Sequence, residues 1–159
     1  MSRALAMGLL GLALAGCGGG DPAAGDLVVE LGTGEVGFEP LADEQPVPLV
    51  AGPQGGHHVW LSLRAEGLAS ERALMVIDAI PLVDGEPPPA RAPVRIFMEP
   101  MPDGRMEYIG WPAQLDDPAC LVGQRLSVRV TLTDSEGRRG SDERIVVPQE
   151  SPLLGTCEE

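Results

Sequence analysis

Aromatic side chains are scarce in this chain: two Trp, two Phe and one Tyr among 159 residues. Polysaccharide platforms stack sugar rings on exposed aromatic faces, so a site of that kind could draw only on Trp60 and Trp111, one of which is expected to cover an end of the core. Positive charge is also short, with 11 basic against 24 acidic residues and a formal charge of −13. That balance argues against nucleic acid, or an anionic membrane surface, as the partner. All the basic residues are arginine, from which nothing functional follows. The chain has no G-x-S-x-G elbow, no H-E-x-x-H pair and no Gly-rich phosphate loop, so neither an enzyme nor a cofactor is expected.

What is present starts at the N-terminus. "MSRALAMGLLGLALAGC" carries one arginine, an apolar run from Leu5 to Ala15, then small residues before a cysteine. This is the pattern of a secretory signal peptide, too short to be a permanent span. Its ending, Leu14-Ala15-Gly16-Cys17, resembles the lipobox of bacterial lipoproteins. The resemblance implies cleavage after residue 16 and a diacylglycerol thioether on Cys17, the new N-terminus. Two or three acyl chains anchor a protein almost irreversibly where one binds only marginally. Gly18 follows instead of the aspartate that signals inner-membrane retention, which points to the outer membrane, on its periplasmic face or at the cell surface. Arg3 leaves with the signal, so the mature chain has 10 basic and 24 acidic residues, a formal −14.

Cys120 and Cys157 remain, an even number in an export compartment that permits disulfides. A bridge between them would close a 38-residue loop (157 − 120 + 1), worth ~3–4 kcal/mol on the chain-entropy model. The competing reading is a thiol pair for metal or redox chemistry, which normally uses closer spacing.

Residues 17–26 read as the lipidated cysteine and a flexible tether, and 27–159 as one domain. Nine short β-type runs follow, at 27–31, 36–41, 47–50, 58–68, 73–83, 94–101, 105–111, 125–134 and 143–149, divided by Gly and Pro clusters. No internal repeat is visible. The pattern predicts an all-β, immunoglobulin-like antiparallel sandwich of about 7–9 strands. The clearest strand is 124–133, where Leu126, Val128, Val130 and Leu132 share one face. "DSEGRRGSDE" after it reads as a solvated surface loop, and "RIVV" as the return of a terminal hairpin. "LASERALMVIDAI" could tempt a helix reading, but its β-branched residues and Pro81 favour strand.

"GPQGGHHVW", residues 52–60, gathers a glycine pair, two histidines and a tryptophan. In a strand starting near His57, alternation sends His57, Val59, Leu61 and Leu63 to the core. His58, Trp60, Ser62 and Arg64 then face the other way. Adjacent strand histidines cannot easily chelate one ion. Gly55 and Gly56 supply the backbone freedom of a turn, and His58 is expected to steady that turn by bonding to a backbone carbonyl. The N-terminal third of the mature domain resembles a family of uncharacterised predicted lipoproteins of myxobacterial-type genomes. Its G-x-G…F-x-P-L…G-x-QGG-x-H-h-W pattern falls here on Gly32, Gly34, Phe38, Leu41, Gly52, Gln54, Gly55, Gly56, His58 and Trp60. The resemblance implies an exported β-sandwich and supplies no activity.

The expected function is therefore that of a lipid-anchored envelope module with a binding or structural role, its partner an envelope protein or polysaccharide. The motif at Gln54, Gly55, Gly56, His58 and Trp60 serves as turn scaffold or binding site. Two alternatives stay open. A periplasmic copper protein could use Met98, Met101 and Met106 with His57 or His58, although no histidine follows either cysteine at cupredoxin spacing. A polysaccharide-recognition module is the other. Calcium at the acidic stretches "DSEGRRGSDE" and "LDDPA" departs from EF-hand spacing.

Overall fold

A computed structural model describes residues 26–53, 55–82, 91–152 and 154–157. The chain forms two packed sheets. In order it contributes β1 (Val28–Thr33), β2 (Glu39–Pro40), β3 (Gln45–Pro48), β4 (Val50–Ala51), β5 (His57–Glu66) and β6 (Arg72–Pro81). There follow β7 (Val94–Phe97), β8 (Glu99–Pro100), β9 (Met106–Leu115), a single helical turn α1 (Pro118–Leu121), β10 (Leu126–Thr133) and β11 (Arg139–Gln149). Eight of these strands have four residues or more, within the expected range; β2, β4 and β8 are two-residue pieces at edges.

One sheet is ordered β2-β1-β5-β9-β8, with β4 pairing β5 beyond β1; the other is β3-β11-β10-β6-β7. With β1 as strand A, β5 as B and β6 as C, these are the A-B-E-D and G-F-C arrangements of an immunoglobulin-type sandwich. Strictly antiparallel pairing does not hold, because β3 joins β11 in parallel, Val146 opposite Gln45. The chain then passes Leu49, buried between the sheets, and enters the other sheet as β4. The prolines at 46 and 48 suit an edge strand, where a missing N–H costs no ladder bond.

Alternation accounts for the core. Val59, Leu61 and Leu63 of β5 and Leu126, Val128, Val130 and Leu132 of β10 are each at most 1% exposed. They meet Leu31, Val47, Met75, Ile96, Met98 and Val146 between the sheets. On one flank the sheets close on each other: Leu31 N donates to the Asp142 carboxylate at 2.8 Å, and Gly140 lies so near the Leu27 carbonyl that no Cβ would fit. The "LASERALMVIDAI" segment is strand β6. "DSEGRRGSDE" is only half loop, since β11 begins at Arg139 and pairs Thr133, leaving a turn over 134–138.

Nor is that turn simply solvated. Asp134 is buried, its carboxylate accepting from the N–H groups of Glu136 and Arg138 at 2.9 Å each, from Ala69 N across the sandwich, and from the Arg138 guanidinium. Burial by itself would raise the Asp134 carboxyl, but these donors outweigh it and hold it below the usual carboxylate range. The turns at 67–71, 101–105 and 134–138 share one pole with the start of β1, where the Asp26 carbonyl rests against Gly67. The 52–56 turn, α1 and the C-terminal tail occupy the opposite pole.

Candidate functional site

The 52–56 segment is the loop of the β4–β5 hairpin. Gly52 N donates to Gly56 O at 2.7 Å and Gly55 N to Gly52 O at 3.1 Å. Gly55 has φ +86°, a backbone that favours glycine. Gly56 serves differently: a Cβ there would meet Gln114 Nε2 at 2.5 Å. Gln54 lies outside the described residues, as does Cys17.

Strand register then assembles a face. Val50 pairs His58, and His58 pairs Gln114; Trp60 pairs Pro112. Cross-strand partners point to the same side, so Val50, His58, Trp60, Pro112 and Gln114 share the outer surface of this sheet. They line a cleft of about 480 Å³ with Gly52, Pro53, Gly56 and Glu35.

Glu35 is brought there by a bulge. The β5–β9 register shifts between Leu61 and Leu63, and Gly110, at φ +73°, donates its N–H to Ser62 Oγ at 3.1 Å. Ser62 Oγ donates in turn to Gly34 O at 2.9 Å, and Thr33 Oγ1 to Trp60 O at 2.7 Å. These bonds tie the chain leaving β1 to the sheet beside Trp60. The rest of the G-x-G…F-x-P-L pattern is packing: the Phe38 ring covers Gly32 where a Cβ would stand, and Leu41 enters the core. The Arg64 guanidinium lies 4.1 Å above the Phe38 ring and is paired to Glu107 at 2.8 Å.

His58 is 9% exposed, and its ring meets Trp60 edge to face at 4.4 Å. The expected carbonyl bond is not seen at Nε2. His58 Nε2 and Trp60 Nε1 are both buried with no hydrogen-bond partner among the described residues. Burial lowers the His58 pKa below the ordinary imidazole value; Glu35 opposes the shift and His57 adds to it. The ring is therefore neutral at neutral pH, with one N–H and one lone pair.

His57 points inward, and its Nε2 is likewise buried without a partner among the described residues. It lines a separate polar cavity at the pole with Gly55, α1 and the tail. The wall there includes Cys120 and Cys157, which are joined by a disulfide with Cα atoms 4.7 Å apart.

Neither the thioether set nor the tryptophan pair forms one site. His57 pairs Leu115 at one end of β5 and Ala65 pairs Met106 at the other, so the histidines and Met106 are separated by roughly 26 Å at ~3.3 Å per residue. Met98 is a core residue, 2% exposed. Among the described residues no group of three or more His, Cys, Asp or Glu side chains is placed to hold a metal ion. Trp111 pairs Leu61 and packs on the core beside Tyr108, so it faces the interior while Trp60 faces out.

The contributions of Glu35 and Gln114 were not legible in the sequence. Gln114 follows only from the β5–β9 register, and Glu35 only from the Ser62 bulge. The chain matches no protein-family model and no curated protein.

Proposed function

We propose that this chain is a lipid-anchored, immunoglobulin-like module of the outer membrane that binds a ligand in the cleft at His58 and Trp60 and performs no catalysis. The observation that carries the reading is that one cleft is lined by His58, Trp60, Gln114 and Glu35 over apolar walls, with the His58 and Trp60 ring nitrogens buried and without partners among the described residues. A largely preformed concavity with a few placed polar groups suits binding. Among the described residues its lining includes no hydroxyl or thiol nucleophile.

The placement fits an anchored module. Chain preceding Asp26 enters at the pole of the 67–71 turn, whereas the cleft lies toward the 52–56 pole. A thioether at Cys17 would tether the first pole and leave the second facing outward. No helix among the described residues is long and apolar enough to cross a membrane.

Two measurements test the reading. The full chain produced in a bacterium is expected to partition into detergent with acyl mass on Cys17, and Cys17→Ser to stay unprocessed or aqueous. Wild-type protein without acyl mass in the aqueous phase would overturn the anchor. Solubilised envelope material is expected to shield Trp60 from acrylamide quenching, and Gln114→Ala to lose the shielding. Equal quenching with and without that material would remove the cleft as a binding site.

A further inference from the structure

Charge narrows what the cleft at Trp60 can take. Among the described residues its one formally charged lining residue is Glu35 and no arginine lines it, although arginines are spread over the rest of the surface. An anionic ligand would meet a carboxylate, a neutral imidazole and a chain of net charge −13, and the nearby Arg91, outside the lining, is engaged with the Gln114 carbonyl at 2.9 Å and with Asp116. Phosphate, sulfate and uronate groups are thereby disfavoured.

Hydrogen-bonding capacity narrows it further. Trp60 Nε1 can only donate; the neutral His58 ring donates at one nitrogen and accepts at the other; the Gln114 amide does both; Glu35 only accepts. Donors and acceptors are thus mixed around an apolar floor of Val50, Trp60 and Pro112. A sugar ring has the complementary build, since each hydroxyl donates and accepts while the C–H face is apolar. A peptide would need either a free strand edge or an aromatic-lined groove. Here Trp60 is the only aromatic side chain other than His58 in the lining among the described residues.

We propose that the cleft binds a neutral saccharide, its C–H face against Trp60 and Pro112 and its hydroxyls on His58, Gln114 and Glu35. The assignment rests on the reading of the cleft as a binding site, and it needs only one tryptophan. The two ring nitrogens are buried and without partners among the described residues, so a saccharide that shifts the Trp60 and His58 rings enough to reach them would supply the missing bonds, a gain that a purely apolar ligand cannot give.

Calorimetric titration of the full chain in detergent micelles tests it, with maltotriose, cellotriose and chitotriose as neutral probes, trigalacturonate as the anionic probe, and acetyl-Ala-Pro-Pro-Ala-amide as the peptide probe. At least one neutral trisaccharide is expected to saturate. Trp60→Phe, which keeps a ring but loses the N–H, and Gln114→Ala, at an exposed position, are each expected to weaken it about tenfold with unchanged melting. Trigalacturonate is expected to bind wild type more weakly than the neutral sugar and to gain on it in Glu35→Gln. Saturation by the peptide with loss in Gln114→Ala would overturn the saccharide assignment and leave the cleft reading standing, as would preferential binding of trigalacturonate. Absence of heat from every saccharide at concentrations on the order of 10 mM would overturn the assignment. If Trp60 then also remained unshielded by envelope material, the binding reading would fall with it.

Discussion

The rings of His58 and Trp60 meet edge to face, centroids 4.4 Å apart and planes at 80°, although they are separated by one residue on the same strand. Period-two alternation puts i and i+2 on one face, and the cleft floor depends on the two rings packing there. Because burial holds His58 neutral, protonation opposes the folded state. The folded imidazole has the lower pKa, so between that value and the unfolded ~6.5 the unfolded chain binds more protons, and stability falls as pH is lowered through this window. Melts of wild type are expected to decline from pH 7 toward pH 5 more steeply than those of His58→Gln. Parallel declines would place the acid sensitivity elsewhere.

Asp134 governs a different acid range. Its folded carboxyl lies below the ordinary aspartate value, so its contribution is present above about pH 4 and is lost as pH falls through the lower, folded value. Removing the carboxylate takes the acceptor from the N–H groups of Glu136 and Arg138 and one of the partners from the Arg138 guanidinium, which also pairs Glu136 at 3.4 Å. Asp134→Ala is therefore expected to cost ~3 kcal/mol or more, read as a shift of the urea midpoint with unchanged slope. Asp134→Asn, which can accept but carries no charge, is expected to fall between.

These two residues mark how far the sequence could be read. The sandwich was legible because Val59, Leu61 and Leu63 on β5, and Leu126 to Leu132 on β10, alternate cleanly with polar neighbours, and because a buried face fixes register. Asp134 was not, because an acidic residue among Ser, Glu, Gly and Arg looks the same whether it faces water or accepts several hydrogen bonds; only the approach of Ala69 from another loop decides. The motif was legible as a turn feeding a strand, with His58 beside Trp60. That it walls a cleft was not, since Gln114 and Glu35 come from strands or loops about fifty and twenty residues away and are placed by pairing and by the Ser62 bulge. The parallel β3–β11 pair was hidden because "QPVPLV" reads as a single run whether or not it changes sheets at Leu49.

The Cys120–Cys157 bridge ties α1 to a tail in which no strand follows Gln149 among the described residues. Its sequence separation of 37 residues corresponds to ~3–4 kcal/mol of loop-closure entropy in the unfolded chain. Reduction, or Cys120→Ala/Cys157→Ala, is expected to lower the melting temperature by roughly 8–15 °C for a domain of this size. The β-sheet circular dichroism should remain, because the strands of both sheets end before the tail. Thiol titration of unfolded, unreduced protein should find neither cysteine; two reactive thiols would remove the bridge.

The glycines of the 52–56 turn and of the β9 bulge separate backbone strain from steric contact. Gly55 has φ +86° and open space where a Cβ would point, so Gly55→Val is penalised by conformation alone, ~1–2 kcal/mol. Gly55→Asn should recover most of that. Gly56 has no positive φ, and its hypothetical Cβ meets only the tip of the flexible Gln114 side chain; Gly56→Ala should cost under ~1 kcal/mol and displace Gln114 from the cleft. Gly110 combines both constraints, with φ +73° and the Glu35 carbonyl 2.5 Å from a Cβ position. Gly110→Ala is expected to be the most costly of the three and to loosen the chain that carries Glu35. Chemical denaturation of the three variants would test the order Gly110→Ala, Gly55→Val, Gly56→Ala. A Gly56→Ala variant less stable than Gly110→Ala would mean that the 52–56 turn is held by Gln114, and that the bulge at Ser62 is not what fixes this face of the sandwich.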